Sequence, residues 1–192
     1  MKPVIAVLAV ITCAFAPAAA AQFDTGALYV GGSVGQSHFR QGCTGLVSGV
    51  SCDEKDTAWR ILAGYQITPT LSAELGYNNF GELKASLGST SESIKASAWE
   101  LVAVGLQPLP NRLGIYGKLG AYRAEAKVSS NFGLSGKDSN SALTIGAGLR
   151  WDPTPPLGVR LEWQRYNSVG GNSTGGRDDL DVISVGAVWR FR

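Results

Sequence analysis

The chain of 192 residues has a single histidine, His38, and three cysteines, with no Cys-x-x-Cys pair among them. One imidazole cannot build the multi-ligand sites that hold zinc, so no metal and no cofactor are expected. Nor is there a charge excess. Lysine and arginine number 17 against 15 acidic residues, and once Lys2 is set aside 16 face 15. That near balance argues against nucleic acid or another strongly charged partner. Also missing is an apolar run of the roughly 20 residues a membrane helix needs. The stretch from Val4 to Phe15 is shorter, follows the lone charge of Lys2 and leads into Ala19-Ala20-Ala21. Charged start, short apolar core and small-residue cleavage site are the order of an export signal. Cleavage is expected after Ala21, giving residues 1–21 as signal peptide and 22–192 as one mature domain. Val10-Ile11-Thr12 ahead of Cys13 is a poor lipoprotein signal.

Export leaves Cys43 and Cys52, an even count in an oxidising compartment, and a disulfide is the first reading for them. Both sit in a Gly/Ser-rich stretch, where a bridge would staple a loop.

No segment keeps a 3.6-residue apolar period for long, whereas period-2 alternation returns throughout. Strands are predicted over 27–38, 57–67, 71–81, 94–107, 113–127, 139–151, 157–167 and 179–191. The connections alternate in kind. "ITPT", "QPLPN" and "DPTPP" are short and Pro-bearing, whereas "RQGCTGLVSGVSCDEKD", "ELKASLGSTSES", "SSNFGLSGKDS" and "NSVGGNSTGGRDD" are long and polar. Short turns on one side and long loops on the other fit an all-β, eight-stranded, antiparallel up-and-down transmembrane barrel of a bacterial outer membrane.

A soluble barrel points its apolar face inward, and a membrane barrel inverts this. In "GVRLEWQRY", Val159, Leu161 and Trp163 share one face and Arg160, Glu162 and Gln164 the other. Leu113, Ile115, Leu119 and Ala121 likewise oppose Tyr116, Lys118, Gly120 and Tyr122. Two features favour the membrane. The polar faces are rich in Gly and Ser, which suits a crowded interior. Aromatics (Trp59, Tyr65, Tyr77, Trp99, Trp151, Trp163, Trp189, Phe191) recur near strand ends on the apolar face, as interfacial girdles do. Outer-membrane lipid is then the expected partner, and "AWELVAVGLQ" is the segment whose two faces are hardest to tell apart.

A basic side chain facing lipid at mid-membrane costs about 2–4 kcal/mol. Glu74, Lys118, Arg160 and Glu162 lie mid-strand and should therefore face the lumen, with Arg60, Arg150 and Glu100 joining by parity. Unpaired charges would be expensive there, so hydrogen-bonded acid–base pairs are expected.

"GYQITPTLSAELGYNNFG" (Gly64–Gly81), "LGIYGKLGA" (Leu113–Ala121) and "VRLEWQ" (Val159–Gln164) resemble strands two to three, five and seven of the OmpA-like barrel family. The final "ISVGAVWRFR" is similar to the family's last-strand pattern of polar–x–Gly–x–x–aromatic–x–aromatic, with Ser184, Gly186, Trp189 and Phe191 filling it. The resemblance implies that the barrel-assembly machinery reads this segment. It also implies that Glu74, Lys118, Arg160 and Glu162 form a cluster that gates a narrow water path. Larger members carry a periplasmic peptidoglycan-binding domain after the barrel; ending at Arg192, this chain is expected to be a barrel-only member.

Catalysis has little to stand on. Lipid-modifying outer-membrane barrels need a His with a Ser and a carboxylate, and His38 is the only imidazole. No catalytic residue is assigned. The functional expectation is a structural or surface role, with the luminal charges either plugging an interior just wide enough for side chains or gating a minor pore for small ions. The alternative is adhesion or host interaction through the extracellular loops, where recognition commonly resides.

Overall fold

The computed structural model describes residues 25–40, 51–53, 55–87, 90–130, 135–171 and 176–191. Residues 1–21 and Cys43 lie outside them, as does the side chain of Cys52, so the cleavage site and the disulfide pairing do too. Eight long strands carry the fold: β1 (Leu28–Phe39), β2 (Lys55–Gln66), β3 (Leu71–Leu87), β4 (Thr90–Pro108), β5 (Leu113–Ser130), β6 (Ser135–Thr154), β7 (Leu157–Gly171) and β8 (Gly176–Arg190). A three-residue strand, Ser51–Asp53, precedes β2 and pairs with the far end of β3.

Each strand pairs antiparallel with its chain neighbours, and β1 pairs with β8, so the sheet closes into an up-and-down barrel. Closure satisfies the strand N–H and C=O groups within the sheet, the condition for crossing hydrocarbon. The seam is tight because glycines line it. A Cβ on Gly186 would meet the Gly32 carbonyl and Ser33, and one on Gly35 would meet Ser184.

The strand alternation resolves as a membrane barrel. Leu75, Leu101, Leu119, Leu143, Leu161 and Ile183 are exposed on the outside, while the alternate positions are buried inside. Trp59, Tyr77 and Trp99 stack side by side across β2–β4, with ring centroids 5.8 and 5.1 Å apart, on the extracellular half of this outer surface. Tyr65, Trp151, Trp189 and Phe191 are exposed at the other end. In β4, Trp99 and Leu101 face out whereas Glu100, Val102, Val104 and Leu106 are buried. Both faces of this strand look apolar because its periplasmic half lines an apolar part of the lumen.

One expectation needs correction. Most of "ELKASLGSTSES", and residues at both ends of "SSNFGLSGKDS" and "NSVGGNSTGGRDD", are strand rather than loop. The β3–β4 ladder runs on to the pair Leu87↔Thr90, β5–β6 to Ser129↔Ser135 and β7–β8 to Gly171↔Gly176. Ser, Thr and Gly there weaken the alternation signal while leaving backbone pairing intact, and pairing is what continues. A register shift between Asn79 and Glu82 bends β3 on the way, and Gly81 takes it at φ 81°, where a side chain would be strained. At the opposite end, Asn111 and Arg112 both have positive φ in the β4–β5 turn, as a twist-matched two-residue hairpin turn requires.

Candidate functional site: a charge layer inside the barrel

Inward parity on five strands brings six ionisable side chains to one level of the lumen. They are Arg60 (β2), Glu74 (β3), Glu100 (β4), Lys118 (β5) and the pair Arg160 and Glu162 (β7). All are buried, from 0% exposed for Glu74 to 7% for Glu162. Arg60 is the hub. Its Nη2 lies 3.0 Å from Glu74 and 2.6 Å from Glu100, and its Nη1 lies 2.9 Å from Glu162. Lys118 Nζ bridges Glu74 at 3.1 Å and Glu162 at 2.5 Å, and Arg160 Nη1 reaches Glu74 at 2.5 Å. The four residues singled out from the sequence thus lie together, joined by Arg60 and Glu100.

Burying six charges is unfavourable unless they are mutually paired and their remaining hydrogen-bonding capacity is met. Among the described residues three cations oppose three carboxylates in this cluster, so the layer is neutral as a whole. Each carboxylate also accepts a tyrosine hydroxyl: Tyr29 to Glu74 at 2.8 Å, Tyr116 to Glu162 at 2.8 Å and Tyr166 to Glu100 at 2.7 Å. Gln164 donates to Glu100 at 2.8 Å and to Thr144 at 2.9 Å. The Arg160 guanidinium lies 5.4 Å from both the Tyr29 and Tyr116 ring centroids, within cation–π range. These aromatic caps escaped the sequence reading. The signal was present, though: Tyr116 shares the inward parity of Lys118, where lipid-facing aromatics do not belong. Two of the rings lie over glycines, since a Cβ at Gly64 would run into Tyr29 and one at Gly148 into Tyr116.

Apolar layers bracket the charges. On the extracellular side Phe80, Ala96, Ala98, Tyr122, Ala124, Tyr166, Val169 and Leu180 pack together. Phe80 and Tyr122 meet the Tyr166 ring edge-on at 4.7 and 5.2 Å. Towards the periplasmic turns, Val102, Val104, Leu106 and Tyr116 cluster on one side and Tyr29, Leu62 and Val188 on the other.

The remaining candidates lie elsewhere. Arg150 faces inward but belongs to a separate pairing at the periplasmic end, where Asp152 bridges it (2.9 Å) and Arg190 (2.5 Å). His38 sits on β1 opposite Lys55 and Asp181, away from the charge layer. The described residues contain no group of His, Cys, Asp and Glu able to hold a metal. Ser184 and Gly186 line the β8–β1 seam, whereas Trp189 and Phe191 are half exposed on the lipid side.

The model of the OmpA-like transmembrane domain matches residues 23–192. Outer membrane protein A of Salmonella typhi is 29% identical over 197 residues, covering 100% of this chain and 56% of its own length. The chain therefore spans a little over half the length of the curated relatives it matches. Among solved structures, Neisserial surface protein A superposes with a TM-score of 0.63 at 18% identity, over 85% of this chain and 97% of its own. Ail, the attachment invasion locus protein of Yersinia pestis, gives 0.57 at 19% identity, over 88% and 100%. At such identities these two likenesses concern the fold.

Proposed function

The chain belongs to the OmpA-like transmembrane domain family, and from that premise we propose that it is a structural barrel of the cell envelope whose lumen rests closed. It is an integral protein of the bacterial outer membrane, in contact with outer-membrane lipid, and the family is structural rather than enzymatic. The observation that carries the closed-lumen reading is the neutral, fully buried charge layer with an apolar layer on either side. An eight-stranded barrel has an interior just wide enough for side chains to fill. Deleting the gene should then make cells leak periplasmic enzymes and become detergent-sensitive, and restoring the wild-type chain should repair this. Unchanged barrier function after deletion would sink the structural reading.

A minor gated pore for small ions is the second reading, favoured by the way partners are shared. Lys118 touches two carboxylates and Arg60 three. A cation can therefore change partner without first becoming unpaired. Planar-bilayer recordings of the refolded barrel against the Glu74→Ala/Arg160→Ala variant test this reading, with discrete channels that differ between the two as the supporting result.

The alternative is surface recognition. The β3–β4, β5–β6 and β7–β8 hairpins continue past the luminal layers, and Ail, a fold relative, is named for attachment and invasion. Hairpin truncations that abolish binding to host cells while preserving the barrel would favour it. In all three readings residues 1–21 are removed on export and Cys43 and Cys52 form a disulfide. The assembly machinery then recognises the last strand through Ser184, Gly186, Trp189 and Phe191.

A further inference from the structure

The lumen is not filled evenly. Two cavities of about 10 Å³ each, roughly the space of one water, lie against the Gly/Ser-rich wall made by β8 and β1. Both are lined by Ser33, Arg60, Glu162 and Ser184. The upper one ends at Phe80 and Tyr166, the lower one at Leu62 and Val188. The opposite wall differs, since Val102, Val104 and Leu106 of β4 pack with Tyr116 of β5. The glycines and serines of the seam leave room beside Arg60 that the larger side chains of β4 and β5 do not.

Unmet donors lie at the same level of the lumen. Arg60 Nε and Arg160 Nε are buried and donate to no protein group among the described residues. Arg60 lines both cavities and Arg160 the lower one. Water-sized spaces lined by Arg60, Glu162, Ser33 and Ser184 are polar enough for water to occupy them. Phe80 and Tyr166 above, and Leu62 and Val188 below, present the apolar constrictions that hold a channel shut by dewetting.

We infer that passage of water and small ions through this barrel runs along the β8–β1 wall past Arg60, and that it is closed at three points in series. The Phe80–Tyr166 constriction lies on the extracellular side, the charge layer in the middle and the Leu62–Val188 constriction on the periplasmic side. This rests on the pore reading above and gives that pore a route and two further gates. Exchange of partners within the charge layer is then insufficient for conduction, because the apolar constrictions still stand on both sides. Tyr166 takes part in two of the three closures, through its hydroxyl on Glu100 and its ring on Phe80.

Bilayer conductance of four full-length refolded proteins tests the inference, each first shown to be folded by heat-modifiable gel mobility. Glu74→Ala/Arg160→Ala alone should raise conductance only about twofold over wild type, because it opens the middle closure and leaves both apolar constrictions standing. Adding Phe80→Ala and Leu62→Ala to that pair should raise conductance about tenfold, as expected when dewetted constrictions are widened. Ser33→Leu, placed in the quadruple variant to fill the wall cavities, should return it to the wild-type level. Full conductance in the charge-layer variant alone would remove the apolar gates while leaving the pore. Ser33→Leu without effect would put the route elsewhere in the lumen. Silence in all four folded proteins would overturn the pore reading itself, and the route with it.

Discussion

Tyr166 on β7 donates its hydroxyl to Glu100 on β4 at 2.7 Å, while its ring lies 4.7 Å from Phe80. That geometry ties the charge layer to the aromatic layer above it. Hydrogen bonds to charged groups contribute about 1.5–3 kcal/mol. Tyr166→Phe keeps the ring and should cost an amount in that range. Tyr166→Ala should cost more, because it also opens the aromatic layer, and large-to-small aromatic changes in cores run to about 3–5 kcal/mol. Urea unfolding in lipid vesicles measures both. Equal losses for the two variants would mean that the ring contributes nothing.

The Glu74–Arg160 pair gives a sharper test of the charge balance. Removing Glu74 alone leaves three cations facing two carboxylates, and breaking one side of a buried ion pair typically costs about 3–5 kcal/mol. Removing Arg160 as well restores two against two, with Arg60 and Lys118 still on Glu100 and Glu162. The double variant should therefore be more stable than the sum of the single losses implies, by about 1–3 kcal/mol, the usual coupling within one network. A double-mutant cycle that closes additively would show that the layer does not act as a neutral unit.

Glycine substitutions separate crowding from backbone effects. A Cβ at Gly64 would occupy the place of the Tyr29 ring and push that hydroxyl away from Glu74. Overpacking of this kind costs about 1–3 kcal/mol. Gly105, on the lipid side of β4, has nothing within 4 Å of such a Cβ. Gly105→Ala should be neutral or stabilising by about 0.5–1 kcal/mol, since glycine in a strand carries an entropic penalty. The two alanine variants, compared by unfolding midpoint in the same vesicles, should move in opposite directions or differ by at least the overpacking term.

Much of this architecture was legible because a membrane barrel writes itself in period two. Leu161 and Glu162 are neighbours in sequence and face lipid and lumen respectively, so parity alone placed Glu74, Lys118, Arg160 and Glu162 inside. Parity does not carry distance along the barrel axis. Arg150 shares the inward face of its strand, yet it sits at the periplasmic end with Asp152. Nor does parity tell which inward residues meet across the lumen, which is why Arg60 as the shared partner of three carboxylates could not be read from the chain. The tyrosine caps were hidden for the same reason: Tyr116 shares the inward parity of Lys118, but parity does not say that its hydroxyl meets Glu162 on β7. The hairpin extensions look like loops in the sequence because Ser, Thr and Gly pair through their backbones without an alternating pattern.

Phe191 decides between two roles for the end of the chain. It lies just past β8, half exposed at the periplasmic rim, with its N–H donating to the Leu28 carbonyl. If it serves only as part of the aromatic girdle, replacing it should weaken the folded barrel as much in vesicles as in cells. Near the membrane interface, however, even charged substitutions on a barrel cost only about 0–1 kcal/mol. A Phe191→Ser variant should therefore refold in vesicles with an unfolding midpoint close to wild type. Its backbone bond to Leu28 does not depend on the ring, and the β1–β8 seam closes without it. If the assembly machinery recognises the terminal aromatic, the same variant should accumulate poorly in the outer membrane of cells. Quantifying folded protein by heat-modifiable mobility in both settings distinguishes the roles. Normal cellular accumulation with a lowered midpoint in vesicles would assign Phe191 to the girdle and leave the terminal pattern without a part in assembly.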